Sequence, residues 1–171
     1  FQMKVYSPGF QEIVSHNISL TYPSEQFSVE DYQVDRSGNI YLLGIVYSDG
    51  SKAKNRGSLN YQYVVQFYPQ DTAVAPSELK VQNGEFFTSD LTIRIADDGK
   101  IIGAGYYSKK GIDGIQGVTY LKIDPIERKL ISQKNTPFDI EFLTELMTPK
   151  QRNRALNAAR NSQDLPELSN Y

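Results

Sequence analysis

FSVEDYQVDRSGNIYLLGIVYS, residues 27–48, is echoed by FFTSDLTIRIADDGKIIGAGYYS, residues 86–108. In each stretch a Phe stands four residues before an Asp (Phe27 and Asp31, Phe86 and Asp90), and an Asp-containing turn ends in Gly. A second Gly follows six residues on, Gly44 after Gly38 and Gly105 after Gly99. Past a polar loop, each copy returns with a segment that runs into Pro, VQFYP at 65–69 and LKIDP at 121–125. The alignment places Phe27 on Phe86, Gly44 on Gly105 and Phe67 on Ile123. A partial copy precedes them: MKVYS at 3–7 matches the closing segments, and EIVSHN at 12–17 matches KLISQKN at 129–135, which sets His16 against Gln133. Self-similarity at a fixed period is the signature of stacked supersecondary units, and a four-strand unit near ~60 residues sits at the long end of β-propeller periods.

Alternation decides the element type. Leu91, Ile93 and Ile95 fall on one side of a strand and Thr92 and Arg94 on the other. Tyr61, Tyr63, Val65 and Phe67 likewise oppose Gln62, Val64 and Gln66. That is period two, the mark of a strand. The segments 40–46 and 101–107 are apolar on both sides, which predicts strands covered on both faces. The turns DRSGN and DDGK supply Asp for local backbone bonding and Gly for positive φ, the chemistry of hairpins.

Composition agrees. Among 171 residues there are 12 Tyr and 8 Phe, a density that favours half-buried strands. A hydrophobic content of 39%, a charged content of 22% and a net charge of -2 argue against disorder and against a polyanion such as nucleic acid as partner. With no Cys in the chain, disulfides, thiolate metal sites and Cys nucleophiles are excluded. No apolar run is long enough for a transmembrane helix. The opening at Phe1, with no charged and apolar leader, reads as a processing boundary, so compartment is not decided there.

After Pro137 the period changes. Phe138, Phe142, Leu143 and Leu146 fall at helical spacing. Thr148-Pro149-Lys150-Gln151 reads as an N-cap, a first-turn Pro and a capping Gln, predicting a second helix to about Arg160. The fold expected is mainly β: about two four-stranded antiparallel, propeller-blade-like units plus a C-terminal helical segment. Its divisions are a β-repeat segment at 1–137 (partial unit 1–20, units 21–84 and 85–137), a helical appendage at 138–160 and a tail or linker at 161–171. Two units cannot close a propeller ring. Self-association through exposed sheet edges is therefore expected.

Through VDRSGNIYLLGIVYSDG, NYQYVVQFYP, FFTSDLTIRIADDGKIIGAGYYS and GVTYLKIDP, the chain resembles a group of long, uncharacterised, exported bacterial proteins with propeller-like repeats. The likeness runs over roughly 27–160. It implies a larger parent and a periplasmic, outer-surface or secreted setting, and it carries over no catalytic residue.

The candidate chemistry is sparse. A single His16 leaves no room for multi-His metal sites, and its strand position suits a solvent-facing residue. Asp35, Ser37 and Asn39 copy the first positions of a calcium loop, but Gly38 comes too early and Val46 stands where a bidentate Glu is needed. A hairpin turn is the reading, and no metal or other cofactor is expected. Asp31 and Asp90 recur at one place in both copies, as structural caps would. The lead for binding is the pair of polar loops at 49–60 and 109–117, where Lys52, Lys54, Arg56, Lys109 and Lys110 outnumber Asp49 and Asp113. The function expected is a non-catalytic binding or scaffold module whose partner is a protein, a glycan or an anionic ligand. The alternative is a fragment of a propeller-type hydrolase or lyase acting on carbohydrate.

Overall fold

The computed structural model describes residues 2–18, 20–48, 61–109, 114–145, 147–161 and 168–169. Gln2–Tyr6 (β1) and Glu12–Asn17 (β2) form a two-stranded antiparallel sheet of their own. Phe27–Val34 (β3), Ile40–Tyr47 (β4), Tyr61–Tyr68 (β5) and Ser77–Lys80 (β6) pair in chain order as a four-stranded antiparallel meander, sheet 1. Phe86–Ile95 (β7) and Ile101–Lys109 (β8) open a second meander, sheet 2, in which the short strand Gly114–Ile115 (β9) precedes Gly117–Asp124 (β10) and Lys129–Pro137 (β11). Its order is β7-β8-β10-β11. The fold is mainly β, and neither sheet closes on itself.

Both meanders follow one plan. Val34 pairs with Ile40 next to the first turn of sheet 1, and Ile95 pairs with Ile101 in sheet 2. Counting paired rungs outward from those turns, Gly44 (opposite Val29) and Gly105 (opposite Leu91) both occupy the fifth. Each first strand carries one bulge, at Glu30 and at Ser89, immediately before Asp31 and Asp90. The sheet 2 bulge lies two rungs farther from its turn. The register expected from the alignment is corrected accordingly. Phe27 shares its rung position with Thr88 and not Phe86, and Phe67 corresponds to Lys122 while Ile123 corresponds to Tyr68. A strand bulge shifts pairing without disturbing sequence similarity, so an alignment by eye passes over it.

The β1–β2 and β10–β11 hairpins also correspond. Ile13 is left out of the first ladder and Ile131 out of the second. The turns contain Phe10 at φ 60 and Arg128 at φ 54, both non-glycine residues in the left-handed region. Counted from the bulges, His16 corresponds to Lys134 instead of Gln133.

Which faces meet follows from the rungs. Tyr41, Leu43, Ile45, Tyr63, Val65 and Phe67, from even rungs of sheet 1, form one core with Leu91, Ile93, Ile101, Leu121 and Ile123, from odd rungs of sheet 2. Opposite faces of the two like-built sheets are thus in contact, head to tail. The other face of sheet 1, with Phe27, Ile40, Leu42, Val64 and Tyr68, is covered by Ile18, Met3, Leu20 and Tyr22. The N-terminal strands therefore cover sheet 1 from the side and do not extend it. Tyr22 stacks on Phe27 at 5.8 Å and donates from its hydroxyl to Glu78 at 2.7 Å.

With cover on both sides, residues 40–45 are buried without interruption, as the apolar run predicts. The matching expectation for 101–107 is corrected. Ile101, Gly103 and Tyr107 are buried, but Ala104 and Tyr106 are exposed. Nothing in the described chain packs on that face as sheet 2 packs on sheet 1.

The helical segment consists of Ile140–Thr144 (α1) and Pro149–Asn161 (α2). Asp139 caps α1 by accepting from the Phe142 N–H at 2.7 Å. The capping box of α2 forms as read: the Thr148 N–H donates to Gln151 Oε1 at 3.0 Å, and the Gln151 N–H returns to Thr148 Oγ1 at 3.4 Å. Within the tail, Leu168–Ser169 (β12) pairs with β9.

Candidate functional site

The expected rim of cationic loops falls largely outside the description. Lys52, Lys54, Arg56 and Lys110 lie outside the described residues, and Lys109 is described as the last residue of β8, opposite Phe86. Tyr47, Tyr61 and Lys109, the strand residues beside those loops, lie at the end of their sheets away from the first turns.

At the opposite end, the first turns of both sheets converge on a cleft of about 400 Å³ between the sheets. Tyr41 and Phe67 line its apolar part, with ring centroids 5.9 Å apart and edge to face. Asp35, Asp98, Lys100 and Arg128 bring charge to its walls. Asp35 and Asp98 stand in turns, as the sequence predicts. The sequence does not bring the two turns together, nor add the β10–β11 turn that carries Arg128.

Asp35 is fully engaged by its own turn. Its Oδ1 accepts from the Ser37 and Asn39 N–H groups, each at 2.9 Å. Its Oδ2 accepts from Asn39 Nδ2 and the Tyr41 hydroxyl, each at 2.8 Å. Burial alone would raise this carboxyl, but those hydrogen bonds outweigh it and hold the pKa below the ordinary aspartate value. Asn39 Oδ1 in turn accepts from the Gln70 N–H at 2.9 Å, fastening the β5–β6 loop to the turn. The hairpin reading of DRSGN is supported by geometry, because the oxygens a cation would need are already in use.

Asp98 and Lys100 are each matched in an ion pair. Lys122 binds Asp98 and Lys100 binds Asp124, each at 2.7 Å. The Asp98 carboxyl lies below its usual pKa, chiefly through the hydrogen bond from Lys122. Tyr41 is pushed well above the usual phenol range, first by burial and then by Asp35. General acid–base catalysis needs a group poised near neutral pH, and these shifts move both the aspartates and the phenol away from it. Among the described residues there is also no group of three or more His, Cys, Asp or Glu suited to a metal ion. The cleft has an apolar floor with fixed charges at its edge.

Asp31 and Asp90 differ sharply. Asp31 Oδ2 reaches the edge of β7, where it accepts from the Thr92 hydroxyl at 2.8 Å, the Ile93 N–H at 3.2 Å and Arg94 at 2.8 Å. Its Oδ1 accepts from the Tyr32 N–H at 2.8 Å. Burial opposes the charge, and the donors, led by Thr92, overcome it and depress the pKa. The carboxylate is thus a clamp between the first strands of the two sheets. The Asp90 carboxylate, on an exposed residue of the β7–β8 ladder, makes no hydrogen bond or ion pair among the described residues.

Compared with known protein families, curated proteins and solved structures, the chain has no match.

Proposed function

We propose that the chain is a stacking module of a propeller-type β-sheet array in an exported protein, serving as a scaffold that binds through its loop ends and not as a catalyst. The observation that carries this reading is the head-to-tail contact of two like-built meanders, fixed at their first strands by Asp31. Propeller blades run from an inner to an outer strand and then pass to the inner strand of the next blade. The passage from β6 to β7 has that form. The cleft carboxylates support a binding role, since each is committed to a turn or an ion pair. The exported setting rests on the resemblance of the sequence.

Although a net charge of -2 gives the chain as a whole no pull on polyanions, the ligand class we assign is an acidic polysaccharide, met locally by the cationic excess of Lys52, Lys54, Arg56, Lys109 and Lys110 at the loop ends. The chain is passed over immobilised dextran sulfate and over neutral dextran, and is incubated with neutral and acidic polysaccharides. The expected result is retention on dextran sulfate alone, weakening as salt rises and lost when Lys52, Lys54 and Arg56 are changed to Ser. Equal passage through both columns overturns the ligand class. Release of reducing ends overturns the scaffold reading in favour of a hydrolase.

A further inference from the structure

Among the described residues, sheet 1 is covered on both faces and sheet 2 on one. The uncovered face consists of the even rungs, with Ile102, Ala104, Tyr106, Val118 and Tyr120 at its centre. Tyr106, Val118 and Tyr120 retain 39%, 38% and 44% exposure. Their counterparts by rung in sheet 1 are Ile45, Tyr63 and Val65, at 7%, 4% and 0%, buried under sheet 2. Asp90 pairs with Tyr106 and so shares this face, as Asp31 shares the face of Leu43. On sheet 1 the face and its aspartate are occupied together.

We infer that this face of sheet 2 docks a further four-stranded antiparallel sheet of the same construction, whose first strand supplies hydroxyl and N–H donors to Asp90 as β7 supplies them to Asp31. The inference rests on the stacking reading above and deepens it by naming the surface and its occupant. Continuity with the existing interface identifies that occupant: it presents an aliphatic odd-rung face like that of Leu91, Ile93, Ile101, Leu121 and Ile123. The face that a second copy would offer head to tail, on sheet 1, is already covered by Ile18, Leu20 and Tyr22. The exposed ring and aliphatic surface gives the contact its apolar drive, and Asp90, two rungs farther out than Asp31, sets its lateral position.

The test inserts a second copy of residues 81–137 after Pro137 in the full chain, so that the copied sheet follows sheet 2 through the link that joins sheets 1 and 2. The chain contains no Cys, so Ala104→Cys gives a single thiol at the centre of the face and Ile126→Cys, at an 81% exposed turn, gives a control. Maleimide labelling at position 104 should slow by about ten-fold or more in the tandem chain relative to the parent, with position 126 unchanged. Asp90→Asn should lower the melting temperature of the tandem chain and leave that of the parent alone. Equal labelling at position 104 overturns the inference. So does a copied sheet that stays disordered by circular dichroism, because the same residues order themselves against sheet 1 and would lack only the surface assigned to them. A parent chain whose position 104 labels faster on roughly hundred-fold dilution gives the face to a second copy and likewise overturns it. The polysaccharide columns read a different part of the molecule, so their outcome stands apart from this one.

Discussion

Strands β4 and β8 hold the same place in their sheets, and each begins with two aliphatic or aromatic residues after its turn, Ile40-Tyr41 and Ile101-Ile102. In β4 residues 40–45 are buried on both faces; in β8 Ile101, Gly103 and Tyr107 are buried while Ala104 and Tyr106 remain exposed. Local sequence does not create the difference. Sheet 1 lies between the N-terminal segment and sheet 2, and among the described residues sheet 2 has one sheet packed on it. A strand that is apolar on both sides therefore describes the surroundings it is suited to, and those surroundings are supplied by other units. The contrast makes equivalent positions in the two sheets unequal in energy.

The sixth rung, occupied by Ile45 in sheet 1 and Tyr106 in sheet 2, turns that inequality into the largest effect of substitution expected here. Ile45→Ala removes buried methyl groups from the joint core and leaves a cavity, so unfolding in urea should show a loss of about 3 kcal/mol. Tyr106→Ala removes a larger side chain from a half-open surface and should cost less than about 1 kcal/mol. Equal losses would mean that Tyr106 is covered in solution and would end the distinction between the sheets.

The even and odd faces were legible in the sequence because period two is strict along Leu91, Ile93 and Ile95 and along Tyr61, Tyr63, Val65 and Phe67. The helix start at Thr148 was legible too, since a capping box is a local contract between residues three apart. The bulges at Glu30 and Ser89 were not, as either side of an unpaired residue reads as an unbroken strand. Nor was the cleft. Asp35, Lys100 and Arg128 come from three turns that share an end of the molecule only after the sheets have stacked, and sequence separation carries no signal of that. The same limit made Asp31 and Asp90 look equivalent: whether a carboxylate meets Thr92 or water depends on which sheet has a neighbour.

Glycine at the fifth rung gives the next contrast. A Cβ at Gly105 would run into the Asp90 carbonyl, which is backbone and is held by the bulged ladder. A Cβ at Gly44 would meet the far end of the Phe27 ring. The ring can tilt, at the expense of its stacking on Tyr22, whereas the strand can yield only by breaking pairs. Gly105→Ala should therefore cost about 2–3 kcal/mol and Gly44→Ala about 1–2 kcal/mol, measured by thermal melting. The reverse order would show that the first strand of sheet 2 is looser than its pairing implies.

The first turns differ in the same direction. Replacing Asp35 with Ala strips acceptors from two backbone N–H groups, the Asn39 amide and the buried Tyr41 hydroxyl, with an expected loss of about 2 kcal/mol. Asp98→Ala removes a surface ion pair with Lys122 and a single turn bond, and the melting temperature should barely move. Because Asp35 spends all its oxygens on the turn, added calcium should leave the melting temperature unchanged. A calcium-dependent rise that vanishes in Asp35→Ala would reopen the cation reading.

The smallest effect is the most specific to stacking. Arg94 is 67% exposed, so its share of the Asp31 clamp is weakened by solvent, and the Thr92 hydroxyl and Ile93 N–H carry more of it. Asp31→Asn keeps the shape of the side chain, loses the charge and turns one acceptor into a donor; at pH 7 it should cost about 1 kcal/mol. The pH dependence has a fixed sign. Since the folded pKa of Asp31 is depressed, its contribution is present above the unfolded value near ~3.9 and is lost as pH falls through the lower folded value. The gap between the wild type and Asp31→Asn should thus be constant at neutral pH and close on acidification. Asp90→Asn, made where the carboxylate has no hydrogen-bonding partner among the described residues, should leave the stability of the parent chain at pH 7 unchanged. If Asp90→Asn cost as much as Asp31→Asn at pH 7, Asp90 would already be clamped, and the two sheets would be alike after all.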